Sequence, residues 1–385
     1  MLYINAMIFK KQGSKIQNGF ILTKNGIIEK VGDMDECPKG EFNCKDLSGY
    51  AVYPGFVDAH SHIGMWEDGL DFEGDDGNED TDPISPQLRA IDAVNPMDAC
   101  FKEALDAGVT TVITGPGSAN PIGGSWVAMK TLGHCVDDMV IKDSVGIKFA
   151  LGENPKNVYN EKGQAPVTRM GIAALIREQL EKARRYKRDL ERAKTHDCDE
   201  PEFDVKCESL IKLLNREVKA LFHCHRADDI YTAIRISKEF NLDLVLVHAT
   251  EGYLIAESLK GMDIISGPII CDRSKPELRN QRVSNSSKLI EHGANVAICT
   301  DHPVVPIQYN LLSCAVVIRE GLTREQAINS ITLAPAKICG IADKVGSIEP
   351  GKHADFVVFN KNDDIFSPFV KPALVVVYGN VVVKN

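Results

Sequence analysis

The chain has 385 residues, 44% of them hydrophobic and 25% charged, a globular composition with ample material for a core. Its formal charge of −10 argues against nucleic acid or an anionic membrane surface as a partner. No run reaches the roughly 20 apolar residues of a membrane span, and the start, MLYINAMIFKKQGSKIQNG, lacks the ordered regions of a secretory signal. Eleven cysteines stand singly without a CxxC pair, as reduced buried thiols do. The expectation is a cytoplasmic protein that handles a small-molecule substrate, with a homo-oligomer left open.

Residues 1–53 read as short strands broken by turns. Asn25-Gly26, between FILTK and IIEKVG, signals a hairpin because both residues tolerate positive φ. Residues 346–385 return to that style in ADFVVFN and ALVVVYGNVVVKN, with Gly379-Asn380 as a turn. The two ends together predict a small β-sandwich domain.

Between them, residues 54–345 alternate strands and helices. FVDAH is followed by a helix over 96–107, GVTTVIT, a flexible loop GPGSANPIGG and VGIKFAL. Helices over 168–196 and 204–217 precede ALFHCH, a helix over 228–240, LDLVLVH and a helix over 251–260. DIISGPII, a helix over 285–292 and NVAICTD complete the series. Such repetition builds a parallel sheet with right-handed crossovers, here a closed (β/α)8 TIM-type barrel. No GxGxxG or P-loop motif follows a strand, so the usual nucleotide-binding alternatives lose their signal. The charged stretch over 168–196 reads as a solvated outer helix, with an oligomer contact as the other reading.

Polar residues gather where barrels keep their active sites, at the carboxyl ends of strands. His60 and His62 close PGFVDAHSH, and period two points both imidazoles the same way. His223 ends ALFHCH, His248 ends LDLVLVH and Asp301 ends NVAICTD. Buried ionisable groups must be paired or coordinated, and imidazoles beside a carboxylate suit a divalent cation, zinc first. His225 repeats the spacing of His223 and either faces the site or bonds the backbone. Lys148 stands inside the apolar strand VGIKFAL, where an uncompensated ammonium is costly, and Glu153 stands at its tip.

PGFVDAHSH, the single histidines, ICTDHP and the tail AINSITLAPAKICGIADKVGSIEPGKHADFVVF together resemble the amidohydrolase superfamily. The similarity spans essentially the whole chain, and it leans towards the branch of imidazolonepropionase and related dipeptidases. The resemblance implies a hydroxide, bound to one or two divalent metals, attacking the C–N bond of an amide, peptide or cyclic amide. Zinc is the first expectation, with manganese, iron or nickel as alternatives. By its motif His60, His62, His223, His248 and Asp301 are metal-site residues, and relatives bridge two metals with a carboxylated lysine, a role that favours Lys148 over Glu153. The Lys-Ser-Gly-Tyr-Gly segment usual in imidazolonepropionase is not apparent, so that activity is not assigned.

Asp301 is then the expected proton shuttle, with His248 and His225 as hydrogen-bond donors to the oxyanion if metal leaves them free. Arg226, Arg273 and Arg279 are the expected anchors for a substrate carboxylate, with Arg282 nearby. WEDGLDFEGDDGNEDTDP carries nine acidic residues between Glu67 and Asp82 and reads as a solvated loop or a lid. Two rivals are kept. A heterocycle deaminase would use a similar metal set, although no His-x-x-Glu follows His223. A non-catalytic scaffold relative would have lost ligands that stand here.

Overall fold

The computed structural model describes residues 1–195 and 199–385. The chain opens with β1 (Leu2–Lys11), β2 (Ser14–Lys24), β3 (Ile27–Asp33), β4 (Cys44–Asp46) and β5 (Tyr50–Pro54). A second series follows: β6 (Phe56–Ser61), β7 (Val109–Thr114), β8 (Ile122–Lys130), β9 (Val140–Ala150), β10 (Lys219–Cys224), β11 (Leu244–His248), β12 (Asp263–Ser266) and β13 (Asn295–Ile298). The chain then returns to its beginning with β14 (Phe356–Asn360), β15 (Leu374–Val377) and β16 (Asn380–Lys384).

Strands β6 to β13 form one eight-stranded sheet in chain order. Its ends meet just beyond β13, where the Asp301 N–H donates to the His60 carbonyl at 3.0 Å and the His62 N–H to the His302 carbonyl at 2.8 Å. Asp58 adds to this seam by accepting from the Thr300 amide and hydroxyl. The result is a nearly closed barrel whose interior is filled by Val57, Ile113, Trp126, Leu221, Val245, Val247, Ile265 and Ala297. Layered branched side chains of this kind make a packed core and no pore.

One strand departs from the parallel expectation. β8 runs antiparallel to both β7 and β9. Its first residues, Ile122-Gly123-Gly124, belong to the segment read from sequence as a flexible loop. All nine residues of β8 are buried, so no polar alternation marks it. Gly124 is there for space, since a Cβ would stand 2.5 Å from the Leu88 carbonyl oxygen.

Helices cover the barrel. The longest, Arg169–Thr195, buries Ile172, Ile176, Leu180 and Ala183 at four-residue steps and carries its charges outward. Arg177 pairs with Glu239 at 2.6 Å and Lys182 with Asp204 at 2.6 Å, as expected of a solvated outer helix. The expected 251–260 helix is two short 3-10 turns, Gly252–Leu254 and Ala256–Leu259.

The chain ends join in a second eight-stranded sheet, ordered β16-β15-β14-β5-β1-β2-β3 with β4 also pairing to β1. Tyr3, Ile8, Ile21, Val52, Phe356 and Val376 form its own core. Tyr53, Val357, Phe359 and Val375 face the barrel helices. The two bodies are also linked by a buried ion pair, Lys130 of β8 with Asp355 before β14. The ten described cysteines are all free, and no helix is long and apolar enough to cross a membrane among the described residues.

Candidate active site

All eight barrel strands send a group to one cavity of about 540 Å³ or to a side chain lining it. His60 and His62 come from the end of β6, Lys148 from β9, His223 and His225 from β10, His248 from β11, and Asp301 from the turn after β13. After β7 the Gly115 carbonyl lies 2.6 Å from His62 Nδ1, and after β12 the Gly267 carbonyl lies 2.6 Å from His248 Nδ1. A carbonyl only accepts, so each Nδ1 carries the hydrogen and each Nε2 offers a bare lone pair.

β8, the unforeseen strand, supplies Trp126. Its fully buried indole stacks on His60 with centroids 4.1 Å apart and planes 14° from parallel. Lys148 Nζ stands 3.3 Å from His60 Nε2 and 4.8 Å from the centre of the same indole. Asp301 Oδ1 is 3.2 Å from His60 Nε2 and 3.4 Å from His62 Nε2. Two donor groups result, His60–His62–Asp301 and His223–His225–His248, each with its ligand atoms within 4.8 Å of one another. His248 and Asp301 hold φ of 69° and 55°, a left-handed backbone that typically costs about 1–3 kcal/mol at a non-glycine residue.

Burial sets the protonation states. It holds His60 and His223 well below the ordinary imidazole value, with the charge of Lys148 the next cause for His60 and His248 the next for His223. His225 is also well below, through burial and then His223, and burial brings His248 to about 4. Burial lowers Lys148 to about 7, so its amine is substantially neutral near physiological pH. Burial alone would raise Asp301, but His248 first, and then the adjoining His60 and His62 rings, hold it well below the carboxylate range. Neutral imidazoles, one ionised carboxylate and an amine near neutrality are the forms that bind a cation.

A chain from a structure of an amidohydrolase from Thermotoga maritima MSB8 superposes with a TM-score of 0.94 and 40% sequence identity, covering 100% of both chains. The chain belongs to the amidohydrolase family. Residues 204–384 match the profile described as Amidohydrolase family. Amidohydrolase tasK of Hapsidospora irregularis is 30% identical over 381 residues, covering 89% of this chain, although the match spans only 38% of that longer protein. Imidazolonepropionase of Caldanaerobacter subterraneus subsp. tengcongensis is 24% identical over 374 residues, covering 89% of this chain and 84% of that protein.

The donor set of this amidohydrolase fits a divalent cation. His60 Nδ1 and His223 Nδ1 are buried without a hydrogen-bond partner, and the fixed Nε2 atoms of His62 and His248 need an electrophile to face. The oxyanion-donor role expected of His248 does not survive this geometry, because its only N–H is spent on Gly267. For His225, whose Nδ1 is 2.6 Å from the Thr250 hydroxyl, either tautomer is open.

Glu153 and Lys148 separate clearly. Lys148 lines the cavity, whereas Glu153 turns to the Glu277 amide at 2.9 Å while its own N–H donates to Glu277 Oε2 at 3.1 Å. The three expected arginines also lie outside the cavity lining. Arg226 grips Asp228 with two prongs, Arg273 donates to the Gln281 carbonyl, and Arg279 is exposed. Arg226 stands two residues past β10 at the start of the helix Ala227–Phe240, and Arg273 and Arg279 lie farther out, in the segment after β12.

Lys275 is the cation that sequence reasoning missed. It lines the cavity and is held 2.9 Å from Glu277 Oε1 and 2.9 Å from Asn154 Oδ1. Glu277 is buried behind it and also faces His225 Nε2 at 3.5 Å. A cue existed in the motif SKPE, since a buried Glu must have a partner, but nothing in the sequence marked Glu277 as buried. The acidic loop brings Trp66 and Asn78 to the mouth, and none of its nine carboxylates lines the cavity.

Proposed function

We propose that this amidohydrolase is a metal-dependent hydrolase that opens a C–N bond in a compact amide, dipeptide or cyclic amide bearing a carboxylate. The reading is carried by the convergence of bare histidine Nε2 atoms, the Asp301 carboxylate and the Lys148 amine on one cavity floor. His60, His62, His223, His248 and Asp301 would hold the cation, zinc first by donor type, and a second ion would need a bridging carboxylate. Lys148 is the proposed bridge. At about pH 7 its neutral amine can add to carbon dioxide, giving a carbamate and releasing one proton.

A bound divalent cation would acidify a water molecule and polarise the scissile carbonyl. Asp301, ionised and facing the same floor, would take the proton of the attacking water and pass it to the departing nitrogen. Trp126 holds the His60 ring in place by stacking, and the Trp66 indole covers His62 at 4.4 Å. Lys275 replaces the expected arginines as anchor for the substrate carboxylate, with Asn154 and Ser118 beside it. Its ammonium already shares Glu277, so it is preorganised for an anion without being neutralised by a free surface partner.

The test is a panel of N-acyl amino acids, dipeptides and carboxylate-bearing cyclic amides on zinc-loaded protein, with the products identified by mass spectrometry and ammonia assayed separately. Gain of one water with a new amine and a new carboxylate, and no free ammonia, supports amide opening. Ammonia release from a heterocycle, with no new carboxylate, would replace this reading by the deaminase.

A further inference from the structure

Outside the cavity lining lies a second group of donors. Asp98, Cys100 and His302 are buried, with exposures of 6%, 2% and 2%, and their ligand atoms lie within 4.8 Å of one another. Asp98 caps the helix Ala99–Asp106, accepting from the Cys100 N–H at 3.0 Å through one oxygen and from the Gly64 N–H at 3.1 Å through the other. Each oxygen keeps a further lone pair. His302 has no such employment, since both of its ring nitrogens are buried without a hydrogen-bond partner among the described residues. An imidazole buried with neither nitrogen satisfied is costly and requires a partner.

We propose that Asp98, Cys100 and His302 form a separate structural metal site, which takes a borderline-soft cation of the zinc class through one oxygen, one sulfur and one nitrogen. A mixed O, S and N set disfavours magnesium and calcium, which prefer oxygen ligands alone. Binding converts the Cys100 thiol into a metal thiolate and releases one proton to solvent. Without a cation the thiol stays protonated, because burial and then the Asp98 charge push it up to about 12.

The site has a structural consequence. The His302 carbonyl accepts from the His62 amide at 2.8 Å, and Asp301 precedes it in the chain. A cation on the His302 ring ties the helix that starts at Asp98 to the turn that carries Asp301. It thereby fixes the back wall of the active site without entering it.

Cobalt substitution distinguishes this site from the main one, whose proposed ligands include no thiolate. Cobalt-loaded protein is expected to show a sulfur-to-cobalt charge-transfer band in the near ultraviolet. Cys100→Ser and His302→Asn should each lose the band and bind one equivalent less cobalt. Cys271→Ser, which alters the thiol that lines the main cavity, should keep the band. His60→Ala should also keep it, which separates failure here from failure of the proposed function. Absence of the band in folded wild-type protein with cobalt in excess overturns the proposal, whatever the variants do. So does a band that persists in Cys100→Ser or disappears in Cys271→Ser.

Discussion

Asp301 is the residue on which the proposed chemistry turns, because its Oδ1 lies within 3.4 Å of both His60 Nε2 and His62 Nε2. Asp301→Asn should keep most of the cation, since the imidazoles remain, and should lower kcat by about 10²–10⁴ or more through loss of proton transfer. Elemental analysis beside a turnover assay checks it, and near-normal turnover with metal bound would move the shuttle elsewhere. Lys148→Ala and Glu153→Ala form the companion pair. The first should reduce metal occupancy, and the second should leave the metal while loosening the backbone bonds to Glu277. Equal occupancy in both would remove Lys148 from the bridge. The gathering of His60, His62, His223 and His248 on one cavity was legible because each stands at the end of an apolar strand, where a polar residue has few other reasons to stand. Trp126, Lys275 and Glu277 were not legible in that way. An indole in an apolar run looks like ordinary core, and a charged pair in a loop looks like surface until burial is known.

At the scale of elements, the parallel strands and the helices Ala99–Asp106, Arg169–Thr195, Ala227–Phe240 and Asn285–Glu291 could be read from periodicity, while β8 could not. Its nine residues are buried on both faces, and two glycines at its start imitate a loop. The terminal strands were legible through their hairpin turns. The sandwich expected of them is, in the structure, one eight-stranded sheet, and the way that sheet is fastened to the barrel had no cue, because Lys130 and Asp355 lie 225 residues apart. Lys130 and Asp355 have side-chain exposures of 0% and 4%, and the second Asp355 oxygen accepts from the Tyr378 amide at 3.0 Å. Losing one partner leaves the other charge buried and unpaired, which typically costs about 3–5 kcal/mol. Lys130→Met should therefore destabilise the protein by about that amount in denaturant unfolding. Lys130→Met with Asp355→Asn should recover part of it, since the amide still accepts from Tyr378 and no charge is stranded. If the double variant is as unstable as the sum of the singles, the pair is not acting as a coupled unit.

For the whole molecule, the buried histidines make stability depend on acid. Burial is the first cause in each case: His60, His223 and His225 lie well below the ordinary value, His248 and His353 fall to about 4, and His302 is lowered. An unfolded chain takes up protons on these rings near pH ~6.5, and the folded chain refuses them until lower pH. Their contribution is therefore present above about pH 6.5 and is lost as pH falls towards about 4. Asp58 works in the opposite sense. Burial raises it to about 7, so the folded state keeps a proton that the unfolded chain releases above about pH 3.9. Six groups outweigh one, and unfolding between about pH 4 and 6.5 takes up protons. The thermal midpoint of cation-free protein should accordingly drop as pH is lowered from 7 to about 4.5, and His353→Gln, away from the active site, should flatten part of that slope. Zinc competes with protons for the same Nε2 atoms. At a free concentration of 100 times its Kd it adds about 2.7 kcal/mol at neutral pH. That increment should hold from pH 7.5 down to about pH 5 and shrink as the solution approaches about pH 4, because only then do protons take the lone pairs of the folded rings. Calorimetric scans at several pH values, with and without zinc, measure both slopes. A zinc-induced rise in midpoint that is the same near pH 4 as at pH 7.5 would mean that the cation is not held by these imidazoles.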